Sequence, residues 1–305
     1  MMDLDLEKKI AQITHLKAER EAVILAHNYQ NDEIQEIADI VGDSLLLSQA
    51  AAKTSAQVII FCGVHFMAES AAILAPDKTI ILPAAAGCPM ADMADEAEVL
   101  KWRRDFPLAA VVAYVNSSAR VKAVSDYCCT SANAVALVQN IPETELIFLP
   151  DQNLGRFVAS RAPNKRLHLW PGYCITHHRV AAPDVLKVKQ AHPDALVLVH
   201  PECRPEVTAL ADFIGSTSQI IKYVRQSERR KFIIGTEMGI LHGLQKENPE
   251  KTFFLLTPGL VCPNMKLTTI DKVLQSLINL APVITVPDEI RTKAQQALNR
   301  MLQYI

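Results

Sequence analysis

The chain has 305 residues, half of them hydrophobic, with 17 prolines and only 10 glycines, which is ample for a buried core and for more than one compact unit. The formal net charge is −2 and no large basic block occurs, which argues against nucleic acid as the main partner. No apolar stretch approaches a membrane span, and residues 1–20 read as a charged amphipathic helix without a signal core, so a cytoplasmic protein with no membrane contact is expected. Seven cysteines (62, 88, 128, 129, 174, 203 and 262) are an odd number without a signal segment. They speak against a disulfide framework and leave metal-binding or reactive thiols to compete with plain buried ones.

After the N-terminal helix, residues 22–27 (Ala-Val-Ile-Leu-Ala-His) form an apolar run of strand type. Asn31-Asp32-Glu33 is a polar helix start, and Ile34, Ile37, Ala38 and Val41 fall on one face of the helix it predicts. Gly42-Asp43-Ser44 ends that helix, with Ser44 capping a second one over 45–53. A strand at Val58–Cys62, a helix over 64–74 stopped before Pro76, and a strand over 78–82 complete the first stretch. A loop, Ala86-Gly87-Cys88-Pro89-Met90, follows. The tail beyond 262 offers two helices, about 268–281 and 287–303, expected to pack back beside the N-terminal helix.

The same plan recurs twice. Residues 109–114 and 195–200 repeat the run at 22–27 at offsets of 87 and 86. Asp39, Asp126 and Asp212 coincide in this register, as do Ser44, Ser131 and Thr217, and Lys78, Lys165 and Lys251. Cys88, Cys174 and Cys262, each just past an apolar run, are 86 and 88 residues apart. A period this long is a small domain rather than a solenoid repeat. Strands alternating with helices, each strand a continuous apolar run, predict parallel sheets buried on both faces. The expected fold is α/β: three pseudo-threefold-related three-layer α/β/α units, each with a small parallel sheet. Their expected bounds are 1–88 with 263–305, 89–174 and 175–262, with the site at their central interface.

Ligands bind beyond the carboxyl ends of parallel strands. The residues just after the first strand of each unit are therefore candidates: His27-Asn28-Tyr29, Tyr114-Val115-Asn116 and His200-Pro201-Glu202. They supply acid–base groups and neutral donors, though any one of them can simply cap a strand end. Gly42-Asp43-Ser44, Cys129-Thr130-Ser131 and Gly215-Ser216-Thr217 read as helix starts whose hydroxyls and N–H groups suit a carboxylate or phosphate, or act only as N-caps. No GxGxxG or P-loop pattern points to a nucleotide. Three equivalent loops can bring Cys88, Cys174 and Cys262 to one point. Three thiolates leave a tetrahedral metal, or one iron of a cubane cluster, with an open position. Spacing does not separate zinc from iron–sulfur, and three buried cysteines are the plain alternative. His177, three residues past Cys174, stands beside that point with His178; one of the two adjacent side chains is expected to face away, and a solvated loop is the plain alternative for the pair. Glu69, His65, Glu237 and His242 are second-choice polar candidates, and the recurrent lysines lie at strand starts, the structural end.

Together these motifs resemble the quinolinate synthase A family of NAD biosynthesis. The matching stretches include Ala26-His27-Asn28-Tyr29-Gln30, Gly87-Cys88-Pro89-Met90, Tyr114-Val115-Asn116-Ser117, Cys129-Thr130-Ser131-Ala132-Asn133, His200-Pro201-Glu202-Cys203, Gly235-Thr236-Glu237 and Cys262-Pro263-Asn264-Met265-Lys266. They cover nearly the whole chain. The resemblance implies a [4Fe–4S] cluster on the pseudo-threefold axis, held by Cys88, Cys174 and Cys262. It implies condensation of iminoaspartate with dihydroxyacetone phosphate to quinolinate, with loss of phosphate and two waters and with the open iron as Lewis acid. Substrate-binding positions carried over are His27, Ser44, Tyr114, Asn116, Ser131, His177, His200, Glu202, Ser216 and Thr217. Tyr29 with His27 would handle proton transfer, Glu202 would be the base, and Tyr114 and His200 would orient intermediates. A transient contact with the enzyme supplying iminoaspartate fits the same picture. The segment Cys174-Ile175-Thr176-His177-His178 departs from the common pattern, as does Ser218, and the chain ends without the extra cysteine cluster of some members. A zinc- or iron-dependent aldolase or hydratase, and a non-catalytic iron–sulfur sensor, are the competing readings.

Overall fold

Twelve short parallel strands carry the architecture of the computed structural model, which describes residues 4–304. They are β1 (Ala22–His27), β2 (Ile40–Gly42), β3 (Val58–Cys62), β4 (Thr79–Ile81), β5 (Ala110–Tyr114), β6 (Tyr127–Cys129), β7 (Glu145–Leu149), β8 (Arg166–Leu169), β9 (Leu196–Val199), β10 (Phe213–Ile214), β11 (Lys231–Gly235) and β12 (Thr252–Leu255). They form three four-stranded sheets with one winding: β2-β1-β3-β4, β6-β5-β7-β8 and β10-β9-β11-β12. Helices flank each sheet, giving three similar α/β/α units. The central strands are largely apolar because both faces are covered: β3 and β5 are buried at every residue.

Each sheet has one strand more than the sequence pattern predicts. The helix expected to run from 31 to 41 stops at Ile37, and residues 40–42 pair with Leu25, Ala26 and His27 as an edge strand. Asp39 explains the break. Its carboxylate accepts the Ile24 N–H at 2.8 Å, its own N–H donates to the Ile24 carbonyl at 2.9 Å, and Lys17 reaches it at 2.6 Å. These bonds outcompete continuation of the helix. Asp126 holds the Val111 N–H at 2.7 Å and pairs with Arg103, while Asp212 holds the Val197 N–H at 2.8 Å and pairs with Lys189. The recurrent aspartates thus start β2, β6 and β10. The recurrent lysines close the opposite end. Lys78 donates to the Ala56 carbonyl, Lys165 to those of Ile141 and Glu143, and Lys251 to those of Val224 and Ser227.

The tail divides. The helix Ile270–Asn279 lies against the N-terminal helix Leu4–Glu19, as expected. The helix Asp288–Met301 does not. It packs on the helix Ala119–Ala123, on β6 and on the helix His65–Leu74, burying Ala294, Ala297, Leu298 and Met301. Its two alanines let it approach closely across the joint between the first and second sheets, whose side chains share one continuous hydrophobic core. The third sheet has its own two clusters, one on each face. It meets the rest largely through polar groups, and the site lies in that seam.

Candidate active site

His27, Tyr29, Tyr114, Asn116, His200 and Glu202 come from the carboxyl ends of β1, β5 and β9 and all line one chamber. His27 and His200 sit at equivalent points and are held alike. The Nδ1 of His27 accepts the Tyr29 N–H at 3.1 Å, and that of His200 accepts the Glu202 N–H at 3.3 Å. This leaves the ring proton on Nε2 in both neutral imidazoles. Burial holds both neutral, lowering His27 to about 4 and His200 to about 3. Each is therefore a neutral N–H donor; the Nε2 of His200 lies 3.1 Å from the Ser131 Oγ.

A chain of hydrogen bonds crosses the chamber. The Tyr29 Oη lies 2.8 Å from the Thr217 Oγ1 and 2.6 Å from the Thr236 Oγ1. Thr236 lies 2.9 Å from the His177 Nε2, and the His177 Nδ1 lies 2.7 Å from the Glu202 Oε2. The other Glu202 oxygen accepts from the Tyr114 hydroxyl at 2.7 Å. An ionised carboxylate only accepts, so the His177 Nδ1 carries the proton toward it. With His177 neutral, Thr236 donates to Nε2 and accepts from Tyr29; with His177 charged, the Thr236 bonds reverse. The contacts from Tyr29 through Thr236 and His177 thus converge with that of Tyr114 on the Glu202 carboxylate, which accepts from both sides. Burial opposes ionisation of Glu202, but the His200 and His177 imidazoles and the bonds from His177 and Tyr114 outweigh it and hold the carboxyl well below its ordinary range. Burial raises the Tyr29 and Tyr114 phenols well above theirs, so both keep their protons.

The hydroxyl set is only partly as read from the sequence. Ser44, Ser131 and Thr217 line the chamber. Ser44 and Thr217 open ten-residue helices, capped by Asp43 and Ser216, and the N–H groups of such a turn favour an anion. Ser216 does not face the chamber; it is fully buried, and its Oγ accepts the Gln219 N–H in a capping box. In the second unit the helix begins only at Ala134, because Asn133 folds back to hold the Thr130 N–H at 2.8 Å. Ser131 is therefore in a turn.

Cys88, Cys174 and Cys262 come from three separate loops and line the same chamber, half-buried, whereas Cys62, Cys128, Cys129 and Cys203 are buried away from it. All seven are free. Burial raises all three chamber thiols, Cys88 to about 12. A bound cation would reverse that by favouring the thiolate. The Cys174 Sγ lies 3.3 Å from the His177 Nδ1, and ligand atoms of Cys174, His177 and Glu202 fall within 4.8 Å of one another. The donor set suits a soft metal or a thiolate-held cluster with a position left for substrate.

Of the second-choice candidates, Glu237 lines the chamber. Glu69 instead accepts the Ala119 N–H, His65 sits 3.9 Å from Glu69, and His242 bonds Glu36 on the outer seam. His178 turns away, its ring tilted against Tyr173 and its Nδ1 on Asn153. Sequence reasoning missed Thr236, Asp151 and Lys266. Lys266 donates to the Tyr29 carbonyl at 2.7 Å and lies 3.1 Å from Glu237, tying the tail to two strand ends. Asp151 was findable as a residue just past β7, at the ligand end of its sheet.

The model of the family described as quinolinate synthetase A protein matches residues 11–303. The chain belongs to the quinolinate synthetase A family. Curated relatives align with it over nearly their whole length. A quinolinate synthase from Geotalea uraniireducens is 59% identical over 292 residues, covering 95% of this chain and 96% of the relative. One from Geobacter metallireducens is 58% identical with the same coverage, and one from Caldicellulosiruptor saccharolyticus is 53% identical over 98% of this chain and 99% of the relative. No helix among the described residues is long and apolar enough to cross a membrane.

Proposed function

We propose that the chain is a quinolinate synthase of NAD biosynthesis, condensing iminoaspartate with dihydroxyacetone phosphate to quinolinate, phosphate and two waters in the cytoplasm. The single observation that carries this reading is the meeting of three cysteines from three loops in one chamber with the strand-end residues. Cys88, Cys174 and Cys262 would hold a [4Fe–4S] cluster, which when bound supplies a Lewis-acidic iron with one open position. The chamber's own residues do the rest. The Glu202 carboxylate, ionised and flanked by two donors, is the proposed base. Tyr29, protonated and joined to Glu202 through Thr236 and His177, can return a proton to the far side of a bound substrate. The neutral His27 and His200 offer N–H groups to developing negative charge without adding a cation. The hydroxyls of Ser44, Ser131 and Thr217 and the amide of Asn116 are placed to bind carboxylate and phosphate oxygens. Ser216 supports this site as a cap behind Thr217.

Anaerobically purified protein given both substrates should release phosphate and quinolinate in equal amounts. Glu202→Gln should keep the wild-type absorbance and lose turnover by about 100-fold or more. Near-normal turnover in that variant would remove Glu202 from the base role. The Cys174–His177–Glu202 group favours one competing reading, a mononuclear zinc site serving an aldolase or hydratase. A colourless, zinc-loaded anaerobic preparation without quinolinate formation would support it.

A further inference from the structure

The internal repeat places Val64, Asp151 and Glu237 at one equivalent point, two residues past the ends of β3, β7 and β11. Asp151 is fully buried. Its Oδ2 accepts the N–H of Cys174 at 3.0 Å, and its Oδ1 accepts those of Asn153 and Leu154, both at 2.8 Å, in the first turn of the helix Gln152–Arg161. Glu237 is fully buried as well. Its Oε1 accepts the N–H of Cys262 at 3.1 Å and its Oε2 that of Gly239 at 2.7 Å, with Lys266 at 3.1 Å from Oε1. Val64 has no acceptor to offer, and the Cys88 loop is tied instead through the His65 N–H to the Ala86 carbonyl at 2.7 Å.

We propose that Asp151 and Glu237 are positioning residues that fix the backbone of Cys174 and Cys262 so that both sulfurs face the chamber before any cluster arrives. This rests on reading the three chamber cysteines as cluster ligands. The chemistry demands a carboxylate at both points. Each has both oxygens engaged by backbone N–H groups, so a neutral amide of the same shape would turn its NH2 against one of them. Either the cysteine amide or the strand-end turn would lose its partner, and a buried orphan N–H is costly. The device joins each cysteine loop to the end of its own sheet, and on Asp151 to a helix N-terminus too. Groups of this kind behind a metal ligand typically carry about 10- to 100-fold in metal affinity.

Two variants of the full chain, Asp151→Asn and Glu237→Gln, test this by two readouts. The first is backbone hydrogen exchange of cluster-free protein, followed in peptides spanning Cys88, Cys174 and Cys262. Asp151→Asn is expected to speed exchange about tenfold or more around Cys174 and leave the Cys262 and Cys88 peptides unchanged; Glu237→Gln should do the same around Cys262 alone. The second is loss of iron from anaerobically purified protein to a chelator, expected to be at least several-fold faster in both variants. Unchanged exchange at the variant's own cysteine overturns the proposal, and so does equal loosening of all three loops, which marks a general structural role. Because either variant can fail to fold, each stands as an independent trial of its own loop. Wild-type protein that takes up no iron while showing the local exchange pattern would instead remove the cluster reading and leave the two carboxylates as loop anchors.

Discussion

His27 and His200 show how burial turns a titratable side chain into a fixed dipole. In an unfolded chain an imidazole binds a proton below about pH 6.5, but in the folded chain His27 does so only near 4 and His200 near 3. Between those values the unfolded state holds more protons, so stability is full above pH 6.5 and falls as pH falls. At pH 5 each histidine should cost about 2 kcal/mol relative to pH 7. Thermal unfolding of cluster-free protein from pH 7 to 5 checks this, and His200→Asn should flatten the slope by about 1 kcal/mol per pH unit over that range. An unaltered slope would mean that His200 takes up its proton as readily in the folded state as in the unfolded one. Thr236 belongs to the same scale. Thr236→Val keeps the shape and removes the hydroxyl between Tyr29 and His177. Turnover should fall about 10- to 100-fold, with Thr236→Ser restoring most of it. Equal loss in the serine variant would point to packing instead. The titratable partners of this chain were legible because strand-end positions flag them. Thr236 was not, since a threonine after a strand is commonplace and only its two contacts distinguish it.

The edge strands β2, β6 and β10 each follow one aspartate. Asp126 receives the Val111 N–H and pairs with Arg103, so Asp126→Ala leaves a buried strand N–H without its acceptor. A loss of about 1–3 kcal/mol is expected, seen as a lower midpoint in denaturant unfolding, with the slope unchanged. A midpoint within error of wild type would mean that β6 is held on β5 by the ladder alone. At this scale the sequence was readable where periodicity is strong: the runs at Val58–Cys62 and Glu145–Leu149 are strands as written. It was unreadable at Ile40–Gly42, where three residues are too short for a period and Val41 also fits the helix face of Ile34 and Ile37. The signal lay in Asp39, whose recurrence at 126 and 212 marks a backbone clamp rather than a site. Ser216 is the converse case. Its Gly-Ser-Thr setting suits a cap and an anion site equally, and only its full burial against Gln219 separates them.

The whole molecule places its chemistry where its cores do not merge. The first two sheets share one apolar interior, while the third joins them through Tyr29–Thr217, His200–Ser131, Tyr114–Glu202 and the Gln35 amide on the Gly239 carbonyl. A polar seam can take in polar substrates without exposing a hydrophobic face. The threefold layout was legible from register alone, since repeats at near-constant offset leave few other arrangements. The seam was not, because it depends on which sheet faces the last helix pair carry; the helix Asp288–Met301 bridges the first two sheets and leaves the third to polar contacts. The central claim is that three of seven cysteines act together. It is tested most directly by the iron content of anaerobically purified single Cys→Ser variants. Wild type and Cys203→Ser are expected to hold about four irons per chain, the content of a cubane cluster, and Cys88→Ser, Cys174→Ser and Cys262→Ser far fewer, with the fold retained. Full iron in any of those three variants, or a wild type that carries none, would contradict it.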